Sequence, residues 1–221
     1  MADQMRCMGF DFSQPGSLER FFDAKWPDKT LLDMACGVYL RMDVQPDMAC
    51  WLSVDPETHE VLDWEMHYDS GRTIGCSFER DVSLDDAGQS GNIAVQLLPG
   101  EADIPLTVSV PCLAGWEDRE AGSPGLLQPT AYALQLRQAE ETEEDRLQSD
   151  ADDNTATLTG MVEHVQKLTN AYSGLCFGRM TVNCGAVCLG VLCEPEVLPE
   201  VGKRIVAACV LTATVQSGTL G

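Results

Sequence analysis

The apolar positions of the first half of the chain recur with period two, in short runs separated by turn-like residues. Val38, Leu40 and Met42 alternate with polar neighbours, then Cys50, Leu52 and Val54, then Leu62, Trp64, Met66 and Tyr68, then Ile74, Cys76 and Phe78. Two further runs follow: Ile93, Val95 and Leu97, then Ile104, Leu106, Val108 and Val110. Strict alternation puts one set of side chains on one face of a strand, so each run predicts a strand with one buried face. The connectors Asp55-Pro-Glu-Thr-His, Asp69-Ser-Gly-Arg and Pro99-Gly-Glu-Ala-Asp are too short for crossovers. They predict an antiparallel meander.

Ahead of the meander, Leu18, Phe21 and Phe22 fall at helical spacing between Ser17, which can cap a helix, and Pro27, which ends it. Cys112 to Gln128, with Gly115, Gly122, Gly125 and Pro124, reads as a loop. Ala131 to Leu147 reads equally as strand or helix, because Tyr132, Leu134 and Leu136 alternate within a stretch that helical spacing also fits. Farther on, Leu158, Met161, Val162, Val165, Leu168 and Tyr172 form a stripe at helical spacing, with Thr155 or Thr157 before it and Ser173-Gly174 after it. This predicts an amphipathic C-terminal helix. Two apolar strands are expected after it, Arg179 to Cys193 and Lys203 to Gln216. Gly185 marks a bulge in the first, where the alternation changes parity. The second is apolar on both faces, as a strand in the middle of a sheet or barrel wall is. The fold class expected is therefore α+β: an antiparallel meander carrying an N-terminal helix, then a helix and two apolar strands that can close a small barrel.

Charge divides the chain. Of 221 residues, 35 are acidic and 14 basic, for a net charge of −21. Residues 157–221 hold four acids and four bases, so the whole imbalance lies before them. Glu140 to Asp153 alone holds eight acids against Arg146, with Leu147 its one large apolar residue. Such a stretch reads as a solvated linker. The expected organisation is an acidic lobe at 1–139, an acidic linker at 140–156 and a neutral lobe at 157–221.

Composition narrows the function. With 44% hydrophobic and 22% charged residues the chain has an ordinary globular composition, not a fibrous or wholly disordered one. Its negative charge opposes the phosphate contacts that dominate nucleic-acid affinity, and it opposes anionic membranes equally. The longest nearly uninterrupted apolar stretch, Ile205 to Val215, is 11 residues, short of the ~20 a spanning helix needs. The first residues show no secretory leader pattern, and the expected compartment is the cytoplasm. Ten cysteines without a C-x-x-C are expected to be reduced. Cys184, Cys188 and Cys193 lie in a β-branched, Gly-punctuated segment. Four residues along a strand span ~13 Å, too far for a shared zinc, so these thiols read as small core residues.

Candidate chemistry is sparse. Of the three histidines, His164 points off the expected helical stripe and His59 sits in a turn. His67 shares a strand face with Asp63 and Glu65 at spacings of ~6.6 Å. That face is either the solvent side of an amphipathic strand or a site in which carboxylates hold an imidazole for base catalysis or meet a divalent cation. Trp51 points away from Cys50, Leu52 and Val54, either toward a partner or beneath the N-terminal helix with Phe21 or Trp26. No nucleophile elbow, P-loop, dinucleotide fingerprint or H-E-x-x-H is present, and no cofactor or metal is called for. The function expected is a non-enzymatic interaction protein of the inhibitor, immunity or adaptor kind, its acidic surface meeting a basic protein. Trp51, Asp63, Glu65 and His67 are the candidate binding residues. The alternative is a metal-dependent or acid/base hydrolase built on Asp63, Glu65 and His67. The neutral lobe could also pair with a second copy of the chain.

Overall fold

A computed structural model describes residues 2–34, 37–84, 90–98, 104–113, 116 and 120–217; the connector at 99–103 lies outside them. The protein is mostly β, with 58% of residues in strands and 10% helical. This corrects the α+β expectation. Helices α1 (Ala2–Cys7) and α2 (Ser17–Lys25) lead the chain. A four-stranded antiparallel sheet follows, β1 (Thr30–Met34), β2 (Gly37–Gln45), β3 (Met48–Val54) and β4 (Val61–Tyr68), in sequence order. The second sheet has nine strands: β5 (Ile74–Leu84), β6 (Gly91–Leu97), β7 (Ile104–Val110), β8 (Pro124–Gln138), β9 (Arg146–Ser149), β10 (Thr155–Thr169), β11 (Cys176–Asn183), β12 (Cys188–Cys193) and β13 (Arg204–Ser217).

The axis of the large sheet is the antiparallel ribbon of β8 and β13, paired from Gly125↔Ser217 to Gln138↔Ile205. At one end the ribbon is flanked by β5 and β7, which β6 joins; at the other it is flanked by β12 and β10, which β11 joins. The pairings thus close two five-membered rings sharing β8 and β13. Their common interior holds Ile205, Ala207, Cys209, Leu211, Ala213 and Val215 from one face of β13, beside Val95, Val108, Leu158 and Val191. This apolar cluster draws on residues on both sides of the acidic stretch. A second cluster lies outside the rings. There Met8, Phe10 and Phe21 of the N-terminal segment and Met42, Cys50 and Met66 of the small sheet pack on Tyr132, Phe177 and Leu192 of the large one.

Three elements depart from the sequence reading, each for a local reason. The expected C-terminal helix is strand β10. Its inward residues Ala156, Leu158 and Val162 keep one parity; a bulge between Val162 and His164 shifts the register, and Val165 is the next to pack on the core. Period two interrupted by one extra residue reproduces the spacings of a helical stripe. Second, Arg179 to Cys193 is a hairpin, not one strand. Gly185 has φ +84° in its turn, and Cys184 N donates to Val187 O at 2.8 Å. The parity change marks a chain reversal. Third, residues 140–156 are not a bare linker, because β9 pairs with β10 from Ala156↔Ser149 to Thr159↔Arg146.

The single expected meander is not formed: β4 and β5 do not pair, and the chain passes from one sheet to the other at Asp69–Thr73. Helix α2 forms where the periodicity places it, but Gly16, not Ser17, is its N-cap; Ser17 is the first helical residue and donates its hydroxyl back to Gln14 O at 2.7 Å. Among the described residues no helix is long and apolar enough to cross a membrane.

Candidate functional site

The residues singled out on β4 do not face solvent together. Asp63 is exposed, Glu65 half-buried and His67 buried, at 3% exposure. The cause lies across the molecule, where β4 is the edge of the small sheet and abuts the outer face of the large one. Tyr132 Oη accepts the Tyr68 N–H at 3.0 Å, and Thr130 Oγ1 donates to Tyr68 O at 2.7 Å. Side-chain hydroxyls of β8 thus stand in for a missing neighbour strand and satisfy an edge that would otherwise be unpaired. The polar stripe is drawn into the same seam. Ser109 Oγ of β7 donates to Glu65 Oε2 at 2.7 Å, and His67 Nδ1 lies 2.9 Å from Thr212 Oγ1 of β13. The Thr212 hydroxyl is directed at Tyr132 Oη, 3.4 Å away. His67 Nε2 is buried with no hydrogen-bond partner among the described residues.

Burial sets the charge of this seam. Desolvation raises the Glu65 carboxyl to about 7, reinforced by Asp63 and opposed by the Ser109 and Gln4 side chains. Desolvation lowers His67 to about 4, with Arg41 acting in the same direction and Asp69 against it. Between about pH 5 and 6 Glu65 and His67 are therefore both mostly neutral, a protonated acid two residues from an unprotonated imidazole.

Trp51 lies opposite Glu65 on β3, half-buried, with the Arg41 guanidinium 5.3 Å from its ring centre. It does not pack beneath α2, which lies on the other face, where Phe22 meets Trp64 edge to face at 5.6 Å. Among the described residues no three His, Cys, Asp or Glu side chains converge to hold a metal ion. Cys184 and Cys193 are buried free thiols that burial pushes up to about 12, and Cys188 is half-buried.

Residues 140–153 hold eight acids against Arg146. The stretch is fastened along its length. Arg137 of β8 grips Glu143 with both guanidinium nitrogens, at 2.9 and 2.5 Å, and holds its carboxyl down at about 2. Arg204 of β13 binds Asp145 at 2.6 Å and reaches Glu143 O. Thr107 of β7 donates its N–H to Ser149 Oγ and its hydroxyl to Ala151 O, while Arg80 of β5 reaches Ala151 O at 2.9 Å. Asn154 closes the loop on Leu211 through two bonds, at 2.7 and 3.2 Å. These bases take up Glu143, Asp145 and Asp152. Glu140, Glu141, Glu144, Asp150 and Asp153 are exposed, with no ion-pair partner among the described residues. The result is a positioned acidic ridge along one edge of the large sheet. The sequence revealed its charge but not its anchors, because Arg80, Thr107, Arg137 and Arg204 are distant in the chain and carry no shared motif.

These features define a mostly β protein of two sheets joined by a polar seam and edged by a fixed acidic ridge. Searches of protein-family models, curated proteins and solved structures found no match to this chain.

Proposed function

We propose that the protein is a non-enzymatic, cytoplasmic binding protein whose acidic ridge receives a basic protein partner. The observation that carries this reading is the ridge itself: five exposed carboxylates without an ion-pair partner among the described residues, on a segment whose arginine anchors pair with other acids. A pre-positioned charged surface loses little ordering entropy on association, and its field steers an oppositely charged partner. The free thiols among the described cysteines fit a reducing compartment. The hydrolase alternative has less support. A catalytic base must reach its substrate, whereas His67 is closed under Thr212 and shares its seam with a half-buried Glu65.

The reading predicts where charge matters. The variant Glu140→Lys/Glu144→Lys/Asp150→Lys/Asp153→Lys should bind a labelled decalysine peptide at least about tenfold more weakly than the parent at low salt. A control that reverses the exposed Asp23, Asp28, Glu57 and Glu60 carries the same net charge and should lose less than about threefold. Fluorescence anisotropy across a salt series reads both. Equal losses in the two variants would mean that overall charge, not the ridge, draws the partner.

A further inference from the structure

Beside the ridge, the outward face of β8, β13, β10 and β9 is hollowed into a groove of about 430 Å³, within the range of sites that hold a ligand. Its shape follows from the strand register. Gln135, Ala208, Thr157 and Gln148 stand in one row across the four strands. The small side chains Ala208 and Thr157 occupy the middle, and Leu134, Gln148 and Arg146 rise at the sides. The β8 bulge opposite Ala208 and Cys209 falls beside Leu134, which is 40% exposed with its side chain lining the groove. Asp150 lines the same groove and belongs to the ridge, so apolar surface and negative charge are continuous there. Arg146 is the one base in the lining, and Glu143 lies close enough to feel its charge.

We infer that this groove receives an extended basic segment of the partner, an apolar side chain lying over Leu134 and Ala208 while flanking lysines or arginines meet Asp150 and the ridge. The inference rests on the ridge reading above and adds what that reading lacks, a second determinant. Alternation along an extended strand is what places apolar and cationic side chains on their separate surfaces. A nucleic acid or acidic peptide is repelled by Asp150 and its neighbours. A second copy of this chain would bring another acidic ridge against the first.

Two synthetic octapeptides of equal charge test this, one alternating Lys with Val and one alternating Lys with Gly. The parent protein should bind the Lys-Val peptide about fivefold more tightly, the effect of burying part of a valine side chain. Ala208→Trp, which fills the groove and leaves the ridge intact, should bring the Lys-Val affinity down to the Lys-Gly value without changing the latter. Leu134→Asn should act in the same direction. Both positions are exposed, so unfolding midpoints should stay at the parental value. Salt-sensitive binding that is equal for the two peptides and indifferent to both substitutions would overturn the groove while sparing the ridge. Absence of any salt-sensitive binding would overturn both. A parent that light scattering shows to be a dimer, dissociated by Ala208→Trp, would make a second copy the occupant and overturn the proposal as well.

Discussion

Gly160→Ala lowers the stability of this protein by about 2–4 kcal/mol, read as an unfolding midpoint in urea. Gly160 sits where β10 leaves its pairing with β9 and takes up β11. A Cβ built there would stand 2.3 Å from Asn183 O and 2.8 Å from the carbonyl carbon of the same residue. No side-chain rotation relieves a collision with backbone, so β10 and β11 must separate at the closure of the second ring. The substitution also distinguishes the observed strand from the helix that the apolar stripe suggests. In a helix interior the same change would stabilise by about 1 kcal/mol, so the sign of the effect decides.

The second large effect is a dependence on pH that Glu65 and His67 hide from one another. Glu65 titrates near 7 in the folded protein, above its ordinary 4.5, so its contribution to stability is complete below about pH 4.5 and is lost as pH rises through 7. His67 titrates near 4, below its ordinary 6.5, so its contribution is complete above about pH 6.5 and is lost as pH falls through 4. Between about pH 4.5 and 6.5 the two slopes are opposite and cancel. Glu65→Gln should expose the histidine slope. Relative to the parent, the variant gains stability with rising pH, reaching about 2 kcal/mol by pH 8 once the partial exposure of Glu65 is allowed for. His67→Gln should expose the opposite slope, its advantage over the parent growing as pH falls from 6.5 to 4. Urea unfolding at a series of pH values reads both. Parallel profiles for parent and variants would show that neither group is desolvated.

How much of this was legible depended on whether the determinants were local. The period-two runs of β2 to β7 and the Leu18, Phe21 and Phe22 stripe of α2 are decided by neighbours in sequence. They appear where alternation and helical spacing placed them. The turn at Asp55 is equally local: Asp55 Oδ1 accepts the N–H groups of Glu57 and Thr58, both at 2.7 Å. Strand β10 carries a helix-like stripe because one bulge changes the phase of an alternating pattern into something helical. Asp63, Glu65 and His67 alternate along β4, but their surroundings are supplied by Ser109 and Thr212. Nothing in β4 announces that a distant sheet will cover it. For the acidic ridge, charge was visible in composition, whereas fixation depended on arginines in β5, β8 and β13 that acquire meaning only after the rings close.

The account turns on the ridge being a fixed surface, and amide hydrogen exchange of the intact protein measures that directly. The amides of Asp150, bonded to Thr155 O at 2.9 Å, and of Leu211, bonded to Asn154 O at 2.7 Å, should be protected. So should the β9 amides that pair with β10, to an extent approaching that of the neighbouring β10 and β13 ladder. Exchange across 143–155 at the rate of an unstructured peptide, with β10 and β13 still protected, would contradict the account and return this stretch to a loose acidic linker.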